Sequence, residues 1–298
     1  MAYCDDPARE GCGYDRGMHW IGYPAALVPF ADLGGTDVTD NFDPKIRTGM
    51  GGERRIRLHR IRPPRSWKID VSSARADDVS NLRSLITSTS GPYQLITADA
   101  QVTNVLTPEQ ATMQDVTLPL GGLAPAGWWP IVGERSPGAL TRDNPSAMFG
   151  YEALVSLDSI PAPPVWTGRS VTVSAMLATA RSAGARVFLQ WRDAAGTLLS
   201  DGRVSGNYVT GMDGLRRSTA SGKPPAGAVA IRLSIQYAEV IAQPQVTWTD
   251  EPTPEWSMGN GADQVVVAGF DQSAVWSRPE RAGWRRGDYT LDLEEAQP

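Results

Sequence analysis

The sequence predicts a mostly β protein, and three segments with period-two alternation carry this prediction. Residues Val171–Leu177, Val187–Trp191 and Val229–Tyr237 alternate between apolar and polar side chains. The third segment places five apolar side chains on one face: Val229, Ile231, Leu233, Ile235 and Tyr237. Such alternation is typical of strands with one buried and one solvated face. Short strands separated by Gly and Pro turns favour a β-sandwich binding module over an enzyme core.

The length and composition of the chain limit its classes of function. At 298 residues, with 41% hydrophobic and 20% charged side chains, it is long enough for two globular domains. Its net charge of −5 argues against a nucleic-acid partner, because such binders usually carry a basic excess. No apolar run approaches the length of about 18 residues that crosses a membrane, so no membrane insertion is predicted. The first residues lack a basic start and an apolar stretch, so we expect no secretory signal.

The first elements expected along the chain are an arm and several strands. Residues 1–17 are rich in Gly, Asp and Arg without periodicity, which predicts an extended N-terminal arm. An aromatic and apolar strand is expected between His19 and Phe30. A basic strand is predicted at Arg54–Arg62, and a further strand at Trp67–Val71.

One short helix is predicted, between Ala76 and Thr87. Its apolar residues recur at helical spacing and define one face: Val79, Leu82, Leu85 and Ile86. The Ser90-Gly-Pro92 turn follows the helix, and a strand is expected at Tyr93–Thr97.

The composition changes at Asn104, where a region of short strands and Gly or Pro turns begins. This region ends at the turn Gly259–Ala262, after which strands are predicted at Gln264–Val267 and Asp288–Glu294. We therefore expect an N-terminal arm, the first part of a scaffold domain, an inserted domain and a returning part of the scaffold. Their predicted bounds are residues 1–17, 18–103, 104–261 and 262–298.

The last predicted strand explains why the chain would return to the scaffold. One of its faces is apolar, with Tyr289, Leu291 and Leu293, and the other is acidic. An acidic face suits a basic cross-strand neighbour, so pairing with Arg54–Arg62 is expected. A solvated face and a contact with a neighbouring subunit are alternatives for the basic strand, and DNA contact is the least favoured. The candidate residues for pairing within the protein or across a subunit boundary are Arg55, Arg57, Asp292 and Glu294.

The polar faces of the three alternating segments are candidates for a binding surface. If these strands share a sheet, they line one surface with hydroxyl, amide and guanidinium groups, which suit the hydroxyl groups of a sugar. The residues of these faces are Thr172, Ser174, Gln190, Arg192, Arg232, Ser234 and Gln236. Trp128, Trp129 and Tyr208 could supply a flat face for a pyranose ring. The candidate carbohydrate-binding residues are therefore Gln190, Arg192, Arg232, Gln236, Tyr208 and Trp128.

The alternative interpretation of the same pattern is structural. In that case the polar face is simply solvated, and the tryptophan side chains fill the core. We expect a core position for Trp191, because it shares a face with Val187 and Leu189.

The sequence contains little that indicates catalysis or metal binding. Cys4, Cys12 and His19 are close, but their intervals of seven and six residues match no common zinc motif, so two thiols or a local disulfide are favoured. His19 and His59 are the only histidines, and neither Gly-x-Ser-x-Gly nor His-Glu-x-x-His occurs. Paired carboxylates such as Glu251 and Glu255 could serve a glycosidase, but solvated acids are the favoured interpretation. We expect no enzyme activity, no cofactor and no metal.

A series of short motifs runs through the middle region of the chain. They are Asn104-Val-Leu-Thr-Pro108, Gly127-Trp-Trp129, Ser170–Met176, Leu189–Asp193 with Gly196, Pro224–Ala228 with Ile231–Leu233, and Gln245–Trp248. Together these motifs resemble a carbohydrate-binding-module jelly roll of the galactose-binding-like type. The resemblance covers roughly half of the chain and implies that residues 104–261 form an inserted sugar-binding jelly roll.

Further motifs lie at the ends of this region and beyond it: Gly91-Pro-Tyr-Gln-Leu95, Pro254-Glu-Trp256, Gly259-Asn-Gly261 and Tyr289-Thr-Leu291. They resemble the minor tail proteins of long-tailed phages that infect actinobacteria. The resemblance implies a structural protein of the virion at the tail tip, of the distal-tail type, assembled in the host cytoplasm as an oligomeric ring. Its implied partners are copies of itself, other tail proteins and host cell-wall glycans. The alternative is a cell-surface polysaccharide depolymerase or its accessory binding subunit.

Overall fold

The computed structural model describes most of the chain in two compact units. The described residues are 18–23, 26–31, 35–40, 45–48, 54–57, 64–88, 91–112, 128–130, 140–142, 154–157, 162–166, 168–277 and 285–296. One unit is formed by residues 17–22, 28–94 and 264–298, and the other chiefly by residues 95–263. The mostly β fold class is confirmed, since antiparallel strand pairs build the sheets of both units. The predicted arm at residues 1–17 lies outside the described residues.

Seven of the described strands form the sheet of the first unit. Its strand order is β2 (Ala26–Ala31), β1 (Met18–Tyr23), β7 (Tyr93–Ile96), β17 (Ala262–Ser277), β18 (Arg285–Glu295), β6 (Arg65–Arg75) and β3 (Gly35–Asp40). The C-terminal strand β18 therefore lies inside a sheet whose other strands come mostly from the first hundred residues. The strands β7 and β17, which flank the second unit in sequence, are neighbours in this sheet.

The core of this unit lies between the sheet and the helix α1 (Ala76–Ser88), which matches the predicted helix closely. The register of β6 and β18 aligns their apolar residues, with Leu291 opposite Ile69 and Leu293 opposite Trp67. These four side chains are at most 2% exposed. Leu82 of α1 is buried and 0% exposed. The side chain of Arg83, also on α1, donates a hydrogen bond of 2.9 Å to Gln272 of β17. The apolar face that the helical spacing predicts is thus the face of α1 that packs on this sheet.

The expected pairing of β18 with the basic strand is wrong. The neighbours of β18 are β6 and β17, so that Asp292 lies opposite Lys68 and Glu294 opposite Ser66. The basic residues form a separate ribbon of β4 (Lys45–Thr48) and β5 (Arg54–Arg57), in which Arg55 faces Arg47 and Arg57 faces Lys45. Matching apolar faces explain the difference: β6 alternates in phase with β18 and buries the same side, which outweighs the attraction between surface charges.

One buried hydroxyl in this core has a distinct environment. The hydroxyl group of Tyr289 is inaccessible to solvent and forms no hydrogen bond with the residues that the structure describes. Burial, and secondarily the negative charge of Asp78 on α1, raises the pKa of Tyr289 well above its ordinary value of 10.0. The neutral form of the phenol is therefore strongly preferred in the folded protein.

This environment predicts a loss of stability at alkaline pH. Above about pH 10 the unfolded chain releases the Tyr289 proton while the folded chain retains it, so the free energy of unfolding falls by up to about 1.4 kcal/mol per pH unit. Tyr289→Phe should remove this contribution, which denaturant unfolding between about pH 9 and pH 12 will measure. Tyr208→Phe, at an exposed ring, is the control for loss of a hydroxyl group. An identical pH slope for Tyr289→Phe and the parent protein would contradict the argument.

The second unit contains two antiparallel sheets in the described part of the chain. The four-stranded sheet has the order β10 (Leu154–Leu157), β15 (Ala230–Gln236), β12 (Arg186–Arg192) and β13 (Val204–Ser205). The five-stranded sheet has the order β14 (Gly211–Gly222), β11 (Val171–Thr179), β16 (Val240–Thr247), β9 (Leu140–Arg142) and β8 (Trp128–Pro130). Two helices of five residues, α2 (Ala98–Val102) and α3 (Pro108–Thr112), complete this unit and were not expected from the sequence.

The core of the second unit lies between the inward faces of these two sheets. Each sheet contributes alternate residues that are at most 2% exposed: Val173, Ala175 and Leu177 from β11, Val187, Leu189 and Trp191 from β12, and Ile231, Leu233 and Ile235 from β15. Gly222 of β14 sits against Trp191, since a Cβ atom there would lie 3.7 Å from Cζ2 of its ring. The predicted core position of Trp191 is confirmed.

This unit begins before Asn104, where the composition of the chain changes. Residues 98–107 run beside β16, with a hydrogen bond of 2.7 Å from the amide of Val105 to the carbonyl of Val246 and one of 2.8 Å from Trp248 to Gln101. Thr97 caps α2 by accepting a hydrogen bond from the amide of Ala100. The segment that contains α2 thus lies beside β16 and belongs to this unit.

Candidate functional site

The four-stranded sheet carries most of the predicted binding residues on its outer face. The register of β12 and β15 sets Gln190 opposite Arg232 and Arg186 opposite Gln236, and Arg192 lies on the same face of β12. These five side chains are partly exposed, whereas the alternating residues Val187, Leu189 and Trp191 are buried in the sandwich. Four predicted residues, Gln190, Arg192, Arg232 and Gln236, are therefore brought together as a surface, here called the outer sheet face.

Hydrogen bonds fix several side chains of the outer sheet face. Ser234 donates to Oε1 of Gln190 over 2.6 Å, and Nε of Arg186 donates to Oε1 of Gln236 over 3.3 Å. Arg192 donates to the carbonyl of Gly196 over 2.7 Å, so its guanidinium group also stabilises the turn after β12. Part of the hydrogen-bonding capacity of this face is thus used internally, which holds its polar groups in defined positions.

Tyr208 lies beside the outer sheet face and contacts Arg186 of that face. The guanidinium carbon of Arg186 lies 4.4 Å from the ring centre of Tyr208 and 4.6 Å from that of Phe188. A second guanidinium, that of Arg203, lies 3.7 Å from the ring centre of Phe188. Tyr208 is 55% exposed, which leaves its ring accessible, whereas Phe188 is 1% exposed. We call Arg186, Phe188, Arg203 and Tyr208 the arginine–aromatic cluster.

Three members of this cluster were not anticipated from the sequence. Arg186 and Phe188 precede Gln190 and Arg192 at intervals of two residues, so extending the alternation toward the N-terminus would have placed them on the same face. No pattern in the sequence predicts that Arg203 lies near Phe188, because this contact depends on the pairing of Val204 in β13 with Leu189 in β12.

Trp128, Thr172 and Ser174 belong to the other sheet, which corrects the expectation of a single polar surface. Trp128 is in β8, and Thr172 and Ser174 are in β11, all of the five-stranded sheet. Thr172 is 2% and Ser174 1% exposed, so neither lines an open face. The alternation of a strand predicts which residues share its face, but not which strands share its sheet.

The polar residues on the outer side of the five-stranded sheet form hydrogen bonds with neighbouring segments of the protein. Nη1 of Arg217 donates to Gln245 over 2.7 Å and to Ser174 over 3.0 Å. Gln245 in turn donates to the carbonyl oxygen atoms of Thr103 and Glu255. Burial lowers the pKa of Arg217 below its ordinary value. This network joins the covering segments to the sheet, so the polar residues here serve the fold.

The seven-stranded sheet carries a charged surface that includes two predicted interface residues. Lys68 of β6 lies between Asp37 and Asp292, and Thr290 of β18 lies between two further carboxylates. The acidic residues of this surface are Asp37, Asp70, Asp271, Asp292 and Glu294, and each is partly or fully exposed. In the β4–β5 ribbon, the register pairs Lys45 with Arg57 and Arg47 with Arg55. The acidic residues thus belong to the seven-stranded sheet, and these basic residues belong to a separate ribbon.

The described residues offer few alternatives to these surfaces. No group of three or more His, Cys, Asp or Glu residues among them is arranged to hold a metal ion. His19 is 2% exposed, its Nε2 atom lies 3.1 Å from the Thr36 hydroxyl, and its ring stacks on Phe30. No described helix has both the length and the apolar character needed to cross a membrane. In comparisons with known proteins, no family model matches the chain, and no curated protein is significantly similar to it.

Proposed function

We propose that this chain is a structural minor tail protein of a phage virion, which builds the tail tip as an oligomer and contacts host cell-wall glycans through its sandwich. The observation that carries the proposal is the division of the chain. The first unit is made of segments from both ends, and the sandwich unit lies between them in sequence. Such an arrangement suits a scaffold that assembles with its neighbours while carrying a binding module. The protein would be assembled in the host cytoplasm and act in the virion.

The outer sheet face supports the glycan contact. Its partly exposed amide and guanidinium groups, from Gln190, Arg192, Arg232 and Gln236, are suited to pair with sugar hydroxyls. The accessible ring of Tyr208 adds an apolar platform next to them. Repeated copies of this face in a ring would raise the effective concentration of sites at the cell surface.

The separated charges of the first unit support contacts between copies. In the ribbon, Lys45 lies opposite Arg57 and Arg47 opposite Arg55, and like charges in these positions destabilise a two-stranded ribbon. An acidic neighbour would relieve this repulsion, and the exposed carboxylates around Asp292 and Glu294 provide such a surface. Contact between the ribbon of one copy and the acidic face of the next is head-to-tail, the kind that closes into rings.

Charge reversal of the ribbon tests this assembly. The double variant Arg55→Glu with Arg57→Glu should weaken self-association of the purified chain roughly tenfold or more, because carboxylates would then face carboxylates. Asp292→Lys with Glu294→Lys should do the same, and the combination of both doubles should restore it. Sedimentation velocity over a range of concentrations measures the association, and negative-stain electron microscopy shows whether the oligomer is a ring.

Two exposed cations of the sandwich control for the change of net charge. Arg216→Glu with Lys223→Glu changes the net charge by the same amount as the ribbon double variant, and it should leave the oligomer unchanged. A parent protein that stays monomeric at every concentration would contradict the assembly. Release of reducing ends from host wall polysaccharide by the purified chain would instead favour the depolymerase alternative.

A further inference from the structure

The arginine–aromatic cluster brings two cations to one aromatic ring. The guanidinium groups of Arg186 and Arg203 both lie within 5 Å of the centre of the Phe188 ring. Among the residues that the structure describes, neither guanidinium forms an ion pair with a carboxylate. Two neighbouring positive charges repel each other, so an anion placed between or above them would be favoured electrostatically.

The position of Arg186 is fixed from three sides. Its guanidinium lies between the rings of Tyr208 and Phe188, and its Nε atom donates to Gln236. The segment that carries Tyr208 is held to the start of β12 by two hydrogen bonds between Ala185 and Val209, of 2.7 and 2.8 Å. The terminal nitrogen atoms of Arg186 have no hydrogen bond to the described residues. This guanidinium is therefore held in place with donors that a ligand could use.

The chemistry of the cluster combines two kinds of recognition. Guanidinium groups pair with carboxylate or phosphate oxygen atoms through charged, often bidentate hydrogen bonds. The ring of Tyr208 is 55% exposed and can stack against the apolar face of a pyranose. A ligand that satisfies both features is a sugar ring that carries an anionic group, whereas a neutral sugar would leave the two cations uncompensated.

We propose that Arg186, Arg203 and Tyr208 form a binding site for an acidic sugar unit, whose carboxylate or phosphate is held by the two guanidinium groups while its ring stacks on Tyr208. This inference rests on the proposed function and specifies its ligand class, an anionic glycan of the host surface. Gln236, which accepts the hydrogen bond of Arg186, and Gln190, which lies two residues after Phe188 on the same face of β12, would bind neighbouring hydroxyl groups.

Binding of the full chain to matched polymers tests this site. Polygalacturonic acid is compared with its methyl ester, and phosphorylated dextran with dextran, so that the carboxylate and phosphate sources are separated. Poly-glutamate serves as a polyanion without sugar rings. We expect binding to at least one acidic polysaccharide, at least tenfold weaker binding to its neutral form, and weak binding to poly-glutamate.

Side-chain variants locate the binding. Arg186→Met and Arg203→Met keep much of the apolar cover over Phe188 but remove a cation, and each should weaken binding tenfold or more while thermal unfolding changes little. Arg216→Met, at an exposed arginine of β14, should bind within twofold of the parent protein. Tyr208→Ala should weaken binding to the acidic polysaccharide more than to poly-glutamate.

Four results would overturn the inference. They are equal binding of acidic and neutral polymers, binding of poly-glutamate that equals that of the polysaccharides, an effect of Arg216→Met as large as that of Arg186→Met, and no binding to any acidic polymer. Sedimentation with purified actinobacterial cell walls separates the two proposals. Wall binding that persists when neither acidic polymer binds would leave glycan contact standing and remove the acidic ligand.

Discussion

Replacing Trp191 with alanine is expected to destabilise the sandwich unit by roughly 3–5 kcal/mol. The ring is 0% exposed and fills the space beside Gly222 of the opposite sheet. Its Nε1 atom also donates a hydrogen bond of 2.7 Å to the carbonyl of Gly202, which would lose its partner. The cavity is the main cost, because Gly202 is exposed and water can take over its carbonyl oxygen. Denaturant unfolding followed by circular dichroism measures the loss.

Tyr208→Ala is the matched control for the truncation of an aromatic side chain. Tyr208 is 55% exposed and contacts Arg186, so its loss should cost about 1 kcal/mol or less. The prediction for Trp191 fails if both variants unfold at the same denaturant concentration. In that case the ring would not contribute to the packing between the two sheets.

Asn104→Ala should destabilise the same unit by roughly 3 kcal/mol or more, because one side chain satisfies four backbone groups. Its Nδ2 atom donates to the carbonyls of Pro244 and Ser257 over 3.2 and 3.1 Å. Its Oδ1 atom accepts from the amides of Leu106 and Val246 over 3.3 and 3.0 Å. The residue is 0% exposed, so water cannot replace these bonds without a local rearrangement. Thermal and denaturant unfolding of the full chain measure the effect.

Asn207 provides a matched control with the same side chain at the surface. It donates to the carbonyl of Arg217 and accepts from the amide of Thr219, but it is exposed. Asn207→Ala should therefore cost about 1 kcal/mol or less, since water can take over both bonds. Equal losses of stability for the two variants would contradict this prediction, because burial of the Asn104 amide would then add nothing to its contribution to stability.

The sequence predicts the strands and their buried faces well, because these depend on local periodicity. The alternation of Val187, Leu189 and Trp191 and that of Tyr289, Leu291 and Leu293 is enough to identify core positions. The sequence does not predict which strands belong to the same sheet. Thr172 alternates like Gln190, yet β11 belongs to the other sheet. There, Gln245 of β16 donates hydrogen bonds to the carbonyls of Thr103 and Glu255 from segments outside the sheet.

The candidate site was predicted in part, for a related reason. Gln190, Arg232 and Gln236 could be found from strands that pair directly, since their polar residues share one face. The arginine–aromatic cluster could not, because Phe188 is an apolar residue on the outward face and Arg203 reaches it from a different strand. The pairing of β18 was also mistaken, because charge suggested the basic strand while the alignment of apolar residues selects β6.

Hydrogen bonds join the segments at the two ends of the sandwich unit. Asn260 and Gly261 donate backbone hydrogen bonds to the carbonyls of Asn104 and Leu106, over 2.9 and 3.1 Å. A domain whose entry and exit lie side by side can be replaced by another with the same spacing, because the host sheet needs only two neighbouring attachment points. An exchange of the segment between these two points would leave the pairing of β18 with β6 in the seven-stranded sheet unchanged.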